Sequence, residues 1–315
     1  MRTQSSATTP TGIAVTAPRE RVRLGTAQAA LGVVVFSLTF PATAWGLEGF
    51  GPWSLVAVRS VLAALIAGCC LCAAGAPGRQ GPLRRIPLPD RRQLPGLAVV
   101  AAGVVIGFPL LSTLALKTST TAHAAVVVGL LPLVTALVAA LRTGIRPSRT
   151  FWAAALAGAA AVAAFTVQQS GGALTAADGY LFAALLVCAA GYAEGGRLAR
   201  VMPGWQVIGW ALVLCLPLSV PAAALALAYE PVRLTAHSVA GLLWVAVGSQ
   251  FLGMVMWYRG MAAIGVPKAS QLQLAQPLLT LVSSVLLLGE HLTVAAPVTA
   301  VAVLVCIAVT QRSRS

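Results

Sequence analysis

Charge is scarce in this sequence. Only 9% of its 315 residues are Asp, Glu, Lys or Arg, where a soluble globular chain carries about 25%. Acids are the rarer sign, seven against 21 basic residues, and there are three histidines. Apolar side chains make up 58% of the chain. No soluble core can bury so much apolar surface under so thin a polar cover. The same figures exclude a collagen, a disordered tail and a disulfide scaffold. The six cysteines (Cys69, Cys70, Cys72, Cys188, Cys215, Cys306) all lie inside apolar runs, without zinc or redox spacing to a histidine. They are expected to behave as small hydrophobes, so no metal site, disulfide or cofactor is implied. The net charge of +14 would suit nucleic acid if the basic residues formed one patch on a soluble domain. They fall instead in short clusters between long apolar runs. The composition is that of an integral membrane protein, with lipid as its first partner and no nucleic acid.

A helix needs about 20 mostly apolar residues to cross the hydrocarbon layer. Ten runs qualify: 24–46, 52–75, 94–115, 120–141, 150–169, 178–198, 205–228, 237–258, 268–288 and 292–311. An all-α protein of ten transmembrane helices is therefore expected. A polar leader (1–23) precedes a first five-helix unit (24–169), a second (170–311) and a short tail (312–315). With the N-terminus cytoplasmic, inner segments hold 18 of the 21 basic residues and outer segments only Lys117 and Arg233. A miscounted helix would destroy that asymmetry, so both termini are expected inside; the expected location is the plasma membrane. Arg21–Arg23, an apolar stretch and Ala42-Thr43-Ala44 imitate a cleaved signal peptide, but the stretch is too long for an h-region.

The chain also repeats itself. Residues 103–154 slide onto 248–299 at an offset of 145 without a gap, so that Gly103 meets Gly248, Pro132 meets Pro277, Thr135 meets Thr280 and Gly144 meets Gly289. Five spans per half make the second copy enter with the opposite orientation. Inverted repeats of this kind place a solute site at the midplane and permit alternating access.

Three stretches now carry a family resemblance: "GPWSLVAVRSVLAAL" (Gly51–Leu65), "ALKTSTTAHAAVVVGLLPLVTAL" (Ala115–Leu137) and "WYRGMAAIGVPKASQLQLAQPLLTLVSSVLLLGEHLT" (Trp257–Thr293). Over roughly residues 24–310 the chain resembles an EamA-type member of the drug/metabolite transporter superfamily. Arg259, Ser270, Pro277, Gly289 and Glu290 match the pattern that ends the family's repeat. The resemblance implies ten helices in two inverted five-helix repeats. The first helix reads "FSLTFPATAW" instead of the usual Trp-Gly-x-Asn, the first repeat lacks the LGE glutamate, and the sixth helix carries "GYAEGGR". These are walls where a solute would sit, so the substrate class stays open.

Polar side chains inside a span usually face the bundle or a watery cavity. On the ninth helix Gln273, Gln276, Pro277, Thr280 and Ser284 share one face. They are candidates for a solute-lining stripe, with interhelical hydrogen bonding as the structural alternative. Gln250 sits near the centre of the eighth helix and is a lining candidate. Trp257 and Tyr258 near its end read first as an aromatic belt, with Trp257 also a lining candidate; Tyr192 is another. Glu194, the one acid inside a span, is the proton-coupling candidate, although Arg197 at i+3 can pair with it and Gly191-x-x-x-Gly195 signals close packing. Arg59, about 10 Å deep in the second helix, could meet an anionic group but reads first as a snorkelling, structural cation. His123 reads as an interfacial group. Seven prolines (41, 109, 132, 217, 221, 277, 297) are expected to break spans, with Pro132 and Pro277 as hinge candidates.

A secondary transporter of small solutes, amino-acid-like or drug-like, is the expected function, with export the expected direction. No Walker motif exists for ATP coupling within the chain. The alternatives are an importer or facilitator of the same fold, or a membrane-embedded enzyme. The enzyme lacks H-E-x-x-H, G-x-S-x-G and any cluster of catalytic groups, and no catalytic residue is named. A homo-oligomer is left open.

Overall fold

The structure is a computed structural model describing residues 18–75, 88–143, 148–169, 174–265, 269 and 272–312. Most of the 1–23 leader, Arg79, Arg84, Arg85, Gly144, Arg146, Lys268, Ser270 and Arg314 lie outside the described residues. Among the described residues every regular element is a helix. Lipid offers no hydrogen-bond partners, and a helix satisfies its own backbone.

The first-half helices are α1 (Pro18–Ser37), α2 (Thr39–Leu47), α3 (Pro52–Gly75), α4 (Leu94–Val100), α5 (Phe108–Ala115), α6 (Thr121–Val128), α7 (Leu131–Thr143) and α8 (Arg149–Gln169). The second half holds α9 (Ala176–Leu198), α10 (Gly204–Tyr229), α11 (Ala236–Leu243), α12 (Met254–Ile264), α13 (Ala275–Leu288) and α14 (Ala295–Arg312). Wider π turns, Ala101–Gly107 and Trp244–Gly253, join α4 to α5 and α11 to α12 without interruption. Seven runs are long and apolar enough to cross a membrane: Arg19–Leu47, Pro52–Ala74, Leu94–Ala115, Thr121–Arg142, Ala176–Leu198, Gly204–Tyr229 and Ala236–Ile264. At the other three expected spans the apolar helical stretches are shorter, Leu156–Phe165, Ala275–Leu288 and Ala295–Cys306. The chain is a multi-pass, all-helical membrane protein.

Proline explains the segmentation. It has no N–H and clashes with the carbonyl four residues back, so it is tolerated in a first turn and disruptive later. Pro41, Pro132, Pro277 and Pro297 all fall in the first turn of a helix, after a break in the first three cases. Pro217 and Pro221 behave otherwise: α10 runs through both. The expected breaks there do not occur, because neighbouring helices and side chains can absorb a proline inside a membrane helix. Helix ends use backbone that only glycine adopts readily, at Gly265 (φ 82°) and Gly289 (φ 65°).

Carboxylates close several helix starts, where free N–H groups and the helix dipole favour negative charge. Glu230, just past α10, accepts from Ser54 N at 2.7 Å at the start of α3. Glu290 accepts from Thr121 N (2.9 Å) and Ala122 N (3.0 Å) at the start of α6. Asp178 closes a capping box with Thr175 on α9 and shares a 2.8 Å hydrogen bond with His123 Nε2. His123 is thus a buried, paired group stacked on Phe165, not the interfacial one its position near a helix start suggests.

The two halves interlock. The α1–α2 run packs on α12 and α11, and α3 packs on α10. Helices α4, α5 and α7 and the first π turn lie against α9; α6 meets α13, and α8 meets α14. Glycine permits the closest approaches: a Cβ on Gly103 would strike the Val187 carbonyl oxygen, and one on Gly241 would strike that of Ala42.

Candidate functional site

A cavity lies where these crossings meet. Its wall combines Phe36, Thr39, Phe40, Arg59, Val104, Phe108, Pro109 and Leu131 from the first half with Cys188, Tyr192, Ser249, Gln250, Met254 and Gln276 from the second. About 40 Å³ is open to water-sized molecules, room for a few of them. Beside it, a narrower gap of about 10 Å³ is lined by Phe40, Ala125, Val128, Gly129, Pro132, Gln273, Gln276, Pro277 and Thr280. Phe40 and Gln276 belong to both walls. A wide depression of about 610 Å³ lies at the helix ends carrying Glu48, Lys117, Glu230 and Arg233.

The polar groups of the wall are positioned by backbone that proline has opened. Pro109 has no N–H for the carbonyl of Val105, four residues back, and Gln250 Nε2 donates to that carbonyl at 3.3 Å. Pro41 likewise leaves the Ser37 carbonyl, and Ser283 Oγ reaches it at 3.3 Å as the longer arm of a hydrogen bond shared with the Thr280 carbonyl at 2.9 Å. In both cases the other half of the chain supplies the missing donor. Gln250 Nε2 also reaches Ser60 Oγ at 3.4 Å, while its Oε1 is buried with no protein partner. Thr39 Oγ1 and Ser249 Oγ, also across the halves, are 2.8 Å apart. Pro132 and Pro277 cannot serve the carbonyls of Val128 and Gln273, and all four residues border the narrower gap.

Arg59 departs furthest from expectation. It does not snorkel: only 4% of the residue is exposed. Its Nε has no partner, and no carboxylate pairs with it among the described residues. An arginine at the centre of a membrane helix costs about 2.5–3.5 kcal/mol by insertion scales, so an unpaired one is an expensive wall component. Snorkelling fails because α3 is enclosed there by α10, α5 and the second π turn.

The other sequence candidates separate into groups. Gln250, Gln276 and Tyr192 line the cavity, and Gln273 and Thr280 the gap beside it. Trp257 and Tyr258 are 1% and 0% exposed, so they form no aromatic belt. Trp257 stands behind the wall, its ring 6.2 Å from that of Tyr192 and 6.3 Å from that of Phe36. Tyr258 fits against Gly195, where a Cβ would collide with its hydroxyl. Glu194 lies outside both wall sets and is 2% exposed. Its Oε1 accepts from Arg197 Nε (3.0 Å) and Nη2 (2.6 Å). Its Oε2 meets Arg142 Nη1 at 2.5 Å, an ion pair off hydrogen-bond geometry. The sequence candidates omitted Thr39, Ser249 and the phenylalanines of the first helix. Thr39 and Phe40 sit between the break at Leu38 and Pro41, the one local signal that marked them.

Comparison with known proteins shows the family. Residues 23–167 and 175–311 each match the EamA-like transporter family. The chain belongs to that family. It is 41% identical over 285 residues, 90% of this chain and 95% of the other, to a Bacillus subtilis (strain 168) protein named uncharacterized transporter YdeK. A solved crystal structure shares the fold at a TM-score of 0.62 and 19% identity, covering 90% of this chain and 95% of its own. As an EamA-like protein the chain is a membrane transporter for a small-molecule solute, and the cavity between its two matched segments is the natural candidate for the solute's place.

Proposed function

We propose that the chain is a secondary transporter, not an enzyme, that exports small metabolites by alternating access around this cavity. One observation supports this most strongly. Number the helical runs as ten, with α1–α2, α3, α4–α5, α6–α7 and α8 as the first five. The first then packs on the eighth and the third on the sixth; second meets seventh, fourth meets ninth and fifth meets tenth. Exchanging the halves maps this set of pairs onto itself. Two inverted five-helix repeats, 24–169 and 170–311, account for that pattern. Such an arrangement has two equivalent ways to tilt one half against the other around a central site.

In this reading both termini are cytoplasmic in the plasma membrane. Gln250, Gln276 and Tyr192 contact the solute, Gln273 and Thr280 border its path, and Trp257 braces Tyr192. Pro132 and Pro277 are the hinges. The break ahead of Pro132 lies against Pro277, since a Cβ on Gly129 would come 3.1 Å from Pro277 Cγ. Glu194, held by arginines from α7 and α9, works as an inner latch instead of a proton relay.

The test is to compare intracellular and medium metabolite pools by mass spectrometry in cells with and without the chain. A solute should move outward with the chain and stay inside with Gln276→Leu. A solute that moves inward would overturn export, and no Gln276-dependent movement would overturn this use of the cavity. In the same assay Glu194→Gln should keep the parent's dependence of flux on pH. Loss of that dependence would return Glu194 to the proton path.

A further inference from the structure

We infer that the central cavity takes its solute by an organic carboxylate held on the guanidinium of Arg59. The inference rests on the transporter reading and names the substrate class of the same site.

A guanidinium at neutral pH is a fixed cation whose planar fork matches a carboxylate in two parallel hydrogen bonds. Arg59 is buried in the cavity wall with Nε unpartnered, so its counter-charge must be found. No side-chain carboxylate supplies it. All seven acids fall within the described residues, and none forms an ion pair with Arg59. Glu194 is held by Arg142 and Arg197, and Asp178 by His123 and Thr175. Glu230 and Glu290 cap α3 and α6. Glu48 faces His237 at 3.4 Å, Asp90 accepts from Arg92 N in an exposed turn, and Glu20 is exposed in the first turn of α1. The anion therefore comes from outside.

The rest of the wall describes the body of that anion. No acidic residue lines the cavity to receive a separate cation. Phe36, Phe40, Phe108 and Tyr192 present rings suited to an apolar portion. Gln250 Oε1, a buried acceptor without a donor, suits an N–H or O–H elsewhere on the solute. A carboxylate with an apolar, preferably aromatic, body meets all three conditions, and it enters only when the wall opens beyond the roughly 40 Å³ now free.

The test uses four ligands with one phenyl body and different charge: 3-phenylpropanoate, phenylalanine, 3-phenylpropanamide and 2-phenylethylamine. Each is titrated against the purified full chain in lipid nanodiscs, reading the unfolding midpoint. The two carboxylates should raise it saturably, and the amide and amine should not. Arg59→Gln should weaken carboxylate binding about ten- to hundredfold, with Arg59→Lys in between. The assignment is overturned if amine or amide binds as well as the carboxylates, if none of the four binds, or if phenyl phosphate binds more tightly. Carboxylate binding unchanged by Arg59→Gln would also overturn it. Should Arg59→Gln not fold, the charge series on the unaltered chain and on Arg59→Lys decides alone. Labelled phenylalanine in sealed proteoliposomes separates the two readings. Arg59-dependent binding without flux would overturn the transporter and leave the carboxylate site. Flux undiminished in Arg59→Gln would do the reverse.

Discussion

Gln250→Leu should reduce solute flux to background, about a hundredfold, while the protein reaches the membrane at the parent's level. A hundredfold loss corresponds to about 2.8 kcal/mol, the scale expected when a buried polar group that meets the solute is removed. The stability side loses less. Leucine gives up two long hydrogen bonds, to Val105 O at 3.3 Å and Ser60 Oγ at 3.4 Å, and leaves the buried Val105 carbonyl without a donor, a cost of about 1–3 kcal/mol. It also removes Oε1, a buried acceptor with no protein donor, which offsets part of that loss. The two readouts therefore part company. Flux in sealed proteoliposomes falls, and the unfolding midpoint of detergent-purified protein moves by only a few degrees. Normal flux would make Gln250 a strut for the proline-opened turn, and a failure to accumulate folded protein would make it essential to assembly.

Much of this arrangement was legible in residue order. Apolar runs located the helices, since a backbone in lipid has no alternative to satisfying itself. The glycine and proline offsets of the repeat pointed to a relation between halves, and Gln250, Gln273 and Gln276 stood out because an amide in a span requires a partner. The failures share one cause. A position along a helix gives depth, but what a side chain meets depends on helices far away in sequence. Arg59 looked able to snorkel, and it cannot because α10 and the second π turn enclose its face. Trp257 and Tyr258 sat at a belt-like depth, yet α1 and α9 cover them.

Prolines were misjudged for a related reason. Their effect depends on who serves the orphaned carbonyl. At Ser37 and Val105 the donor is a side chain more than a hundred residues away, and no local pattern announces it. In α10 the helix passes through Pro217 and Pro221.

Gly103→Leu should leave little folded protein, whereas Gly179→Leu should behave like the parent. A Cβ at Gly103 would overlap the carbonyl oxygen of Val187 and come 3.3 Å from Gly191 Cα. Both obstacles are backbone, so no rotamer change relieves them, and α9 would have to move away from the π turn. Overpacking a core commonly costs about 1–3 kcal/mol, and separating two helices along a shared glycine face exceeds that. At Gly179 an added Cβ meets nothing within 4 Å, and leucine also has the better helix propensity. Size-exclusion profiles and unfolding midpoints of the two variants, made side by side, give the comparison. The consequence reaches beyond stability. The π turn that bears Gly103 also bears Val105, which receives Gln250, so the contact that holds α9 close also sets the depth of the cavity wall. If Gly103→Leu folds normally, α9 has freedom to withdraw, and the wall opposite Arg59 is a movable surface rather than a fixed one.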